Sequence, residues 1–487
     1  MNAGRFLALA PLQIAQALVG FGAIAAFTRL MSADEFGRYA LALSVSMAAH
    51  TVLFTWAEAA AFRFLAAARA ERRVADHFAT LAAIAAALGV AVLAITLLVL
   101  SLAGLRDELT SLAAFAAAAA VLRFITRIGR ESDRAALAFA RYAVLETAYL
   151  TIGFAAGVAC LLVFDFGPAA PFAGLVLAGL LVALIDAPRL FAQAEGGAPS
   201  LARARQYGAY GAPLALALAV DLGVQAVARI ILAESAGPAE LGAYAAAFGL
   251  ARPLDLMFMG VSAAFAPLVF AAYEEKGPAA ARSIAGDAFL VLAAVTAPAA
   301  VGLALVAGPV SALMVGEALR AETARALPWL AFAGLCSGFT LYYWSEAFQL
   351  TRRTGLRALL MLAPGAVQLG LTAALAPWGA MGAGAAAAAG AVTGMALLAL
   401  VGRGLFALPL RLAGLARIAL AALAMACAVI ALAGAGLALQ VAAGAAAYLS
   451  VLAMLDLFGA RAHASALLQA LVRKLRGARQ LQSGSAS

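Results

Sequence analysis

Apolar stretches of about 20 residues or more recur along the whole chain, separated by short polar breaks. About 20 consecutive apolar residues is what an α-helix needs to cross the hydrocarbon core of a bilayer, where the backbone must satisfy its own hydrogen bonds. Fourteen spans are predicted, near residues 6–28, 38–62, 77–103, 109–129, 141–164, 170–188, 208–232, 241–271, 284–307, 326–349, 355–376, 379–401, 412–434 and 438–458. The breaks carry turn residues: Ser32-Ala33-Asp34, Gly167-Pro168, Gly196-Gly197, Gly237-Pro238, Gly277-Pro278 and Pro377. No connection is long enough for a soluble domain. The pattern predicts an all-α polytopic membrane protein. The first stretch follows Arg5, and a second span follows at once, so it is expected to stay as a membrane helix rather than to leave as a signal peptide.

One segment occurs twice. Residues 27–44 read FTRLMSADEFGRYALALS, and residues 228–248 read ARIILAESAGPAELGAYAAAF. Glu35, Gly37 and Tyr39 fall on Glu240, Gly242 and Tyr244 at a constant offset of 205. Six spans separate the copies, so both enter the membrane in the same direction. Parallel repeats of this kind are related by an axis along the membrane normal. The expected core is two six-helix bundles, residues 1–200 and 201–405, around a central cleft. Two extra helices follow in 406–458. The repeated motif is expected to be a structural hinge at one end of each bundle. Gly37 suits a close approach, and Glu35 suits the first turn of a helix.

Composition agrees with the pattern. The chain of 487 residues is 66% hydrophobic and 12% charged, with mean hydropathy +1.00. Soluble proteins carry roughly a quarter charged residues, so a soluble core of this size is excluded. The charges also fix a sidedness. Of the 33 lysines and arginines, 26 lie at the termini or in even-numbered connections. The positive-inside rule then places both termini and those connections in the cytoplasm. The net charge of +9 follows from this asymmetry and needs no nucleic-acid partner. Residues 459–487 carry a helical apolar stripe from Ala464 to Leu475 flanked by Arg473, Lys474 and Arg476, as in a basic helix lying on a membrane surface. Cys160, Cys336 and Cys427 lie in apolar runs and suggest neither a disulfide nor a metal site.

The segment TRLMSADEFGRYALALS resembles the signature of the Wzx-type oligosaccharide flippases, the polysaccharide-transport branch of the multidrug/oligosaccharidyl-lipid/polysaccharide exporters. IILAESAGPAELGAYAAAF is similar to that family's second-half signature, and GAMGAGAAAA at 379–388 to its Gly/Ala-rich twelfth helix. The resemblance implies a multi-pass protein of the bacterial inner (plasma) membrane. It implies a lipid-linked oligosaccharide carried from the cytoplasmic to the outer leaflet by alternating access. Membrane lipid and the glycosyltransferases and polymerase of the same surface-polysaccharide pathway are the implied partners. No cofactor is implied, beyond coupling to a proton or sodium gradient.

Polar residues inside spans mark candidate sites, because an ionisable side chain at mid-bilayer costs several kcal/mol and faces protein or a cavity. On span 7, Asp221, Gln225 and Arg229 recur at i, i+4 and i+8, one helix face. On span 8, Arg252 and Asp255 flank Pro253. Shifted back by 205, Asp221 falls on Gln16, and Arg252 and Asp255 fall on Met47 and His50. The equivalent positions are expected to face each other across the cleft. The alternative is a self-neutralising pair, Asp221–Arg229 or Arg252–Asp255, inside one bundle. Arginine suits a pyrophosphate, so Arg229 and Arg252 are the expected headgroup contacts. Arg29 and Arg63, near opposite membrane faces, would guard the two mouths of the cleft or simply anchor helix ends. Asp221, Asp255, Glu58, Glu146 and Glu346 are candidates for a coupling ion, and His50 could titrate near neutral pH or be a packing residue. Glu146 shares a face with Tyr142 and Tyr149. Arg123, Arg127, Arg130 and Arg134 are expected to snorkel at the cytoplasmic face beside Glu131 and Asp133. Tyr342, Tyr343 and Trp344 are expected to pack.

No catalytic constellation, nucleotide-binding loop or metal-ligand spacing stands out. That weighs against a membrane polymerase or ligase, which would need a sizeable outer loop; the longest, near 308–325, is small. A drug/cation antiporter of the same superfamily would have twelve spans and a more acidic cavity. A lipid II flippase would share the mechanism and differ in headgroup.

Overall fold

The computed structural model describes residues 10–104 and 107–456. Arg5, Arg106 and the expected amphipathic tail at 459–487 lie outside the described residues. The described residues form helices and turns, with no strand among them. Among the described residues, twelve helices are long and apolar enough to cross a membrane. A bent pair, Ala33–Leu53 and Thr55–Ala70, meeting at 47°, passes the same length and composition test when its two helices are taken together. The remaining expected span, 326–349, falls on Glu317–Phe339, a π-helical turn at Thr340–Trp344, and Ser345–Leu350. Its charged start, Glu317 to Arg325, dilutes its apolar character. The chain is a multi-pass membrane protein, and the described part of each of the fourteen expected spans falls mainly on helix.

The repeated motif builds helix starts. Ser32 Oγ accepts the Glu35 N–H at 3.3 Å, and Glu35 Oε2 accepts the Ser32 N–H at 2.7 Å, a reciprocal cap on Ala33–Leu53. In the second copy Gly237, at φ 94°, precedes Pro238 at the first helical position. No hydroxyl is present to cap, so Glu240 has no reciprocal partner at its own helix start. Its Oε2 instead accepts the Ala380 N–H at 2.7 Å, at the start of Gly379–Leu405. Glu35 Oε1 lies correspondingly 3.1 Å from the Cβ position of Gly167, in the turn that opens span 6. Each motif glutamate thus lies at the start of the sixth span of its own repeat. The two copies also pack on each other. A Cβ at Gly37 would stand 1.8 Å from the Pro238 carbonyl oxygen, and one at Gly242 would stand 3.1 Å from that of Ala33.

Span 2 was expected to be a single run over 38–62 and is broken at Phe54. No proline causes the bend. Phe54 is buried and stacked on Phe124 at 4.4 Å, while the Trp56 indole N–H donates to the Leu53 carbonyl at 2.8 Å. A side chain that takes a ladder carbonyl is a recognised cause of kinks. Gly211 of span 7 lets that helix press on the Trp56 backbone, where a Cβ would meet it at 2.3–2.8 Å.

By packing, the chain divides into two compact units. The first takes Met1–Arg252, Val310–Ala333 and Ala358–Gly394; the second takes Pro253–Pro309, Gly334–Arg357 and Met395–Ser487. A core of the first unit joins Phe54, Ala57, Ala61, Leu81, Phe124 and Ile128 with Tyr207 from span 7. Tyr207 also shares a hydrogen bond with His77 Nδ1 at 2.5 Å. Beside it, the turn between the repeats is fastened down. Ala198 N–H donates to Asp76 Oδ1 at 3.1 Å, and Ser200 N–H donates to Thr80 Oγ1 at 3.1 Å. In the second unit, Phe258, Phe289, Phe339 and Tyr343 form an aromatic cluster. Tyr343 and Trp344 are buried, as packing residues should be. The Tyr448 hydroxyl donates to the Ala294 carbonyl at 2.7 Å and ties span 14 to span 9.

Candidate functional site

The first unit holds a buried network of charges. It is built on Asp107–Ala135, whose arginines face three neighbouring helices. Glu58, just past the bend of span 2, accepts from His50 Nε2 at 2.8 Å and lies 3.3 Å from Arg127 Nε. His50 and Glu58 thus bridge the bend from opposite sides. Arg127 continues to Glu131 at 3.0 Å, and Arg134 closes on Glu131 at 2.8 Å. One turn on, Arg130 donates to Glu146 and, at 2.7 Å, to Thr126 Oγ1, and its guanidinium lies 4.9 Å from the Tyr149 ring centroid. Farther along, Asp133 and Asp186 share Arg141 and Arg189. Bringing ions out of water is costly unless each finds a partner, and here each buried carboxylate does.

Arg130 departs from the expectation that the Arg123–Arg134 stripe snorkels. Arg130 and Asp133 each keep 1% of their surface exposed. Within the stripe, Arg130 is buried where Glu146 of span 5 meets it, while Arg127 and Arg134 keep 31% and 42% of their side chains exposed beside Glu131. Sequence reasoning singled out Glu58, His50 and Glu146, and the structure brings all three to this network. It passed over Asp186. The spacings Arg127–Glu131, Arg134–Glu131 and Arg189–Asp186, at i±4 and i±3, were the available signal.

A second cluster lies on span 7. Arg229 donates to Ser44 Oγ of span 2 and lies 5.0 Å from the Phe248 ring centroid. Its Nε is buried with no hydrogen-bond partner. Arg252 is near enough to act on its charge. Neither arginine forms an ion pair among the described residues: Asp221 is bridged by Gln225 at 3.2 Å, and Asp255 lies by Tyr342. The self-neutralising pairs therefore do not form. Between spans 2 and 7 lies an apolar hollow of about 410 Å³, lined by Val45, Ala48, Val52, Ala219, Gly223 and Ile230 among others, so that Ile230 on its wall neighbours Arg229 in the chain. No sequence signal marked Ser44, which aligns with Gly249 in the repeat.

The other candidates lie apart. Arg29 caps a helix end, donating to the Met314 carbonyl at 3.3 Å and the Leu313 carbonyl at 2.5 Å. Arg63 is exposed beside Phe64, and Gln16 is exposed. Among the described residues, no group of three or more His, Cys, Asp or Glu side chains could hold a metal ion.

A sequence profile described as polysaccharide biosynthesis protein matches residues 26–321, more than half of the chain. The chain belongs to this family. Among curated protein sequences, none matches it significantly. Among solved structures, a lipid II flippase MurJ in an inward closed conformation superposes with TM-score 0.73 at 13% identity, over 92% of this chain and 99% of that one. An inward-facing multidrug resistance MATE family transporter of the MOP superfamily gives TM-score 0.61 at 16% identity, over 85% of this chain and 98% of that one. A MOP superfamily transporter from Pyrococcus furiosus gives TM-score 0.52 at 17% identity, over 85% and 93%. The family member therefore has the fold of these transporters, as the motif resemblance implied.

Proposed function

We propose that this family member carries a polyprenyl-pyrophosphate-linked oligosaccharide from the cytoplasmic to the outer leaflet of the bacterial inner membrane, for surface polysaccharide assembly. The observation that carries the reading is Arg229. A guanidinium set in a membrane span with no acidic partner and a buried, unpaired Nε is poised for an anion. Arg252 adds a second unpaired cation. The apolar hollow between spans 2 and 7 suits a molecule with an anionic head and a hydrocarbon chain. In this reading the two six-span repeats, 1–200 and 201–405, rock about the cleft, with both termini cytoplasmic. The arginines replace the hydration of the pyrophosphate as it crosses.

The test is flipping of a fluorescent lipid-linked oligosaccharide in vesicles. A charge-assisted hydrogen bond is worth roughly 1.5–3 kcal/mol, so Arg229→Ala and Arg252→Ala should each slow transport by about 10- to 100-fold. Unchanged transport by both variants removes their roles. A lipid II flippase differs in headgroup alone, and competition between the two lipids separates them. The transporter folds it resembles favour a non-enzyme, and glycosyl transfer by the purified protein would revive the polymerase or ligase reading.

A further inference from the structure

Six acidic side chains are buried among the described residues: Glu58, Glu131, Asp133, Glu146, Asp186 and Glu346. The first five each lie within ion-pair distance of an arginine. Glu346 does not. Its Oε2 is fully buried and receives no hydrogen bond.

The surroundings of Glu346 explain the isolation. It lies two residues past the π-helical turn Thr340–Trp344, a type of insertion that concentrates at functional places in helices. The Ser345 hydroxyl, which could have served it, donates instead to the Thr340 carbonyl at 2.8 Å. The Tyr343 hydroxyl is spent on the Pro409 carbonyl at 2.6 Å. Span 12 closes over the segment, with the Gly402 Cβ position 3.4 Å from both Ala347 Cβ and the Phe348 ring. Among the described residues, no charged group on the elements around it forms an ion pair with it. Arg411 pairs with Asp287 at 2.8 Å, and Arg352 with Glu274 at 4.0 Å. Arg282 lies over the Phe406 ring, Asp255 lies by Tyr342, Arg403 is exposed, and Arg357, its Nε buried without a hydrogen-bond partner, forms no ion pair among the described residues.

An ionised carboxylate with neither cation nor donor beside it is costly in such surroundings, and it neutralises instead. A hard metal cation takes several oxygen ligands, and among the described residues no cluster of acids surrounds this one. The neutralising species that fits is a proton. We propose that Glu346 is a proton-binding site, protonated while the end of span 10 is closed and deprotonated when that end opens to water. The O–H bond forms and breaks with water as donor and acceptor, and no other bond changes. Its use in transport rests on the proposed function; its protonation does not.

The test is infrared difference spectroscopy of the full-length protein in lipid vesicles. Wild type should show a protonated-carboxyl absorption at neutral pH that disappears on alkaline titration, and Glu346→Gln should lack it entirely. The same absorption in both proteins overturns the proposal. A second arm needs no titration. A neutral, unpartnered carboxyl can be replaced by an apolar side chain with the melting temperature kept or raised, so Glu346→Leu should melt no lower than wild type. A clear fall would show a hidden partner and overturn the proposal. In transporting vesicles, Glu346→Gln should lose the response to a pH gradient. If the absorption is found while wild type moves no lipid-linked oligosaccharide, the proposed function fails and the proton site stands.

Discussion

Gly37→Ala is the sharpest perturbation this fold offers. The added Cβ would stand 1.8 Å from the Pro238 oxygen and 2.4 Å from its carbonyl carbon. Ordinary C···O contacts begin near 3.3 Å, so the two helices would have to part by about 1.5 Å. Both sides are backbone, and no flexible side chain can yield. Overpacking costs about 1–3 kcal/mol, and this site belongs at the upper end. Gly242→Ala is the matched control, at the same place in the other motif copy. Its Cβ would meet Ala33 oxygen at 3.1 Å and Gly37 nitrogen at 3.3 Å, a shift of a few tenths of an ångström. It should cost under about 1 kcal/mol. The strain acts only while the two copies touch. Gly37→Ala should therefore favour any state in which they separate, by about 100-fold for 3 kcal/mol. Melting temperature reads the cost. Maleimide labelling of Ala246→Cys, one turn from Gly242 and fully buried, reads the separation, with the native cysteines replaced. Equal melting of the two alanine variants together with unchanged labelling would refute the reasoning.

Two further outcomes follow from contacts in the first unit. Glu240→Gln weakens a charge-assisted cap on the Ala380 N–H, and thermal melting should show a loss of about 1 kcal/mol. Arg130→Ala leaves Glu146 buried without its partner and should cost about 3–5 kcal/mol, whereas Arg130→Met with Glu146→Leu should recover most of that in a double-mutant cycle.

Much of this fold was legible in the chain. The apolar runs gave the spans, and the offset of 205 picked out Glu35 and Glu240, which do matching work at the starts of spans 6 and 12. The same offset could not show that Gly37 and Gly242 meet, because sequence symmetry says which positions correspond and not which ones touch. The bend at Phe54 was hidden for a different reason. It comes from an aromatic stack and an indole bond to a carbonyl, without the proline or glycine that marks most kinks. Burial of Arg130 was also misjudged. A row of arginines at a helix end reads as a solvated face until its partners are known, and these partners, Glu146 on span 5 and Glu58 on span 2, are distant in sequence. At Arg229 the residue itself was legible as an intramembrane cation. Its bond to Ser44 was not, because a serine one turn above Ala40 usually serves its own helix, as Ser44 also does toward the Ala40 carbonyl at 2.7 Å.

The place of Tyr207 bears on how the chain is made. A ribosome delivers spans 1–6 first, and they contain most of the core that gathers Phe54, Leu81 and Phe124. The ring that completes this core, and the hydroxyl that partners His77, arrive only with span 7. A fragment ending at residue 200 would carry an unfilled notch beside a histidine that lacks its bond. Spans 1–6 therefore complete their packing only once span 7 has begun to enter the membrane.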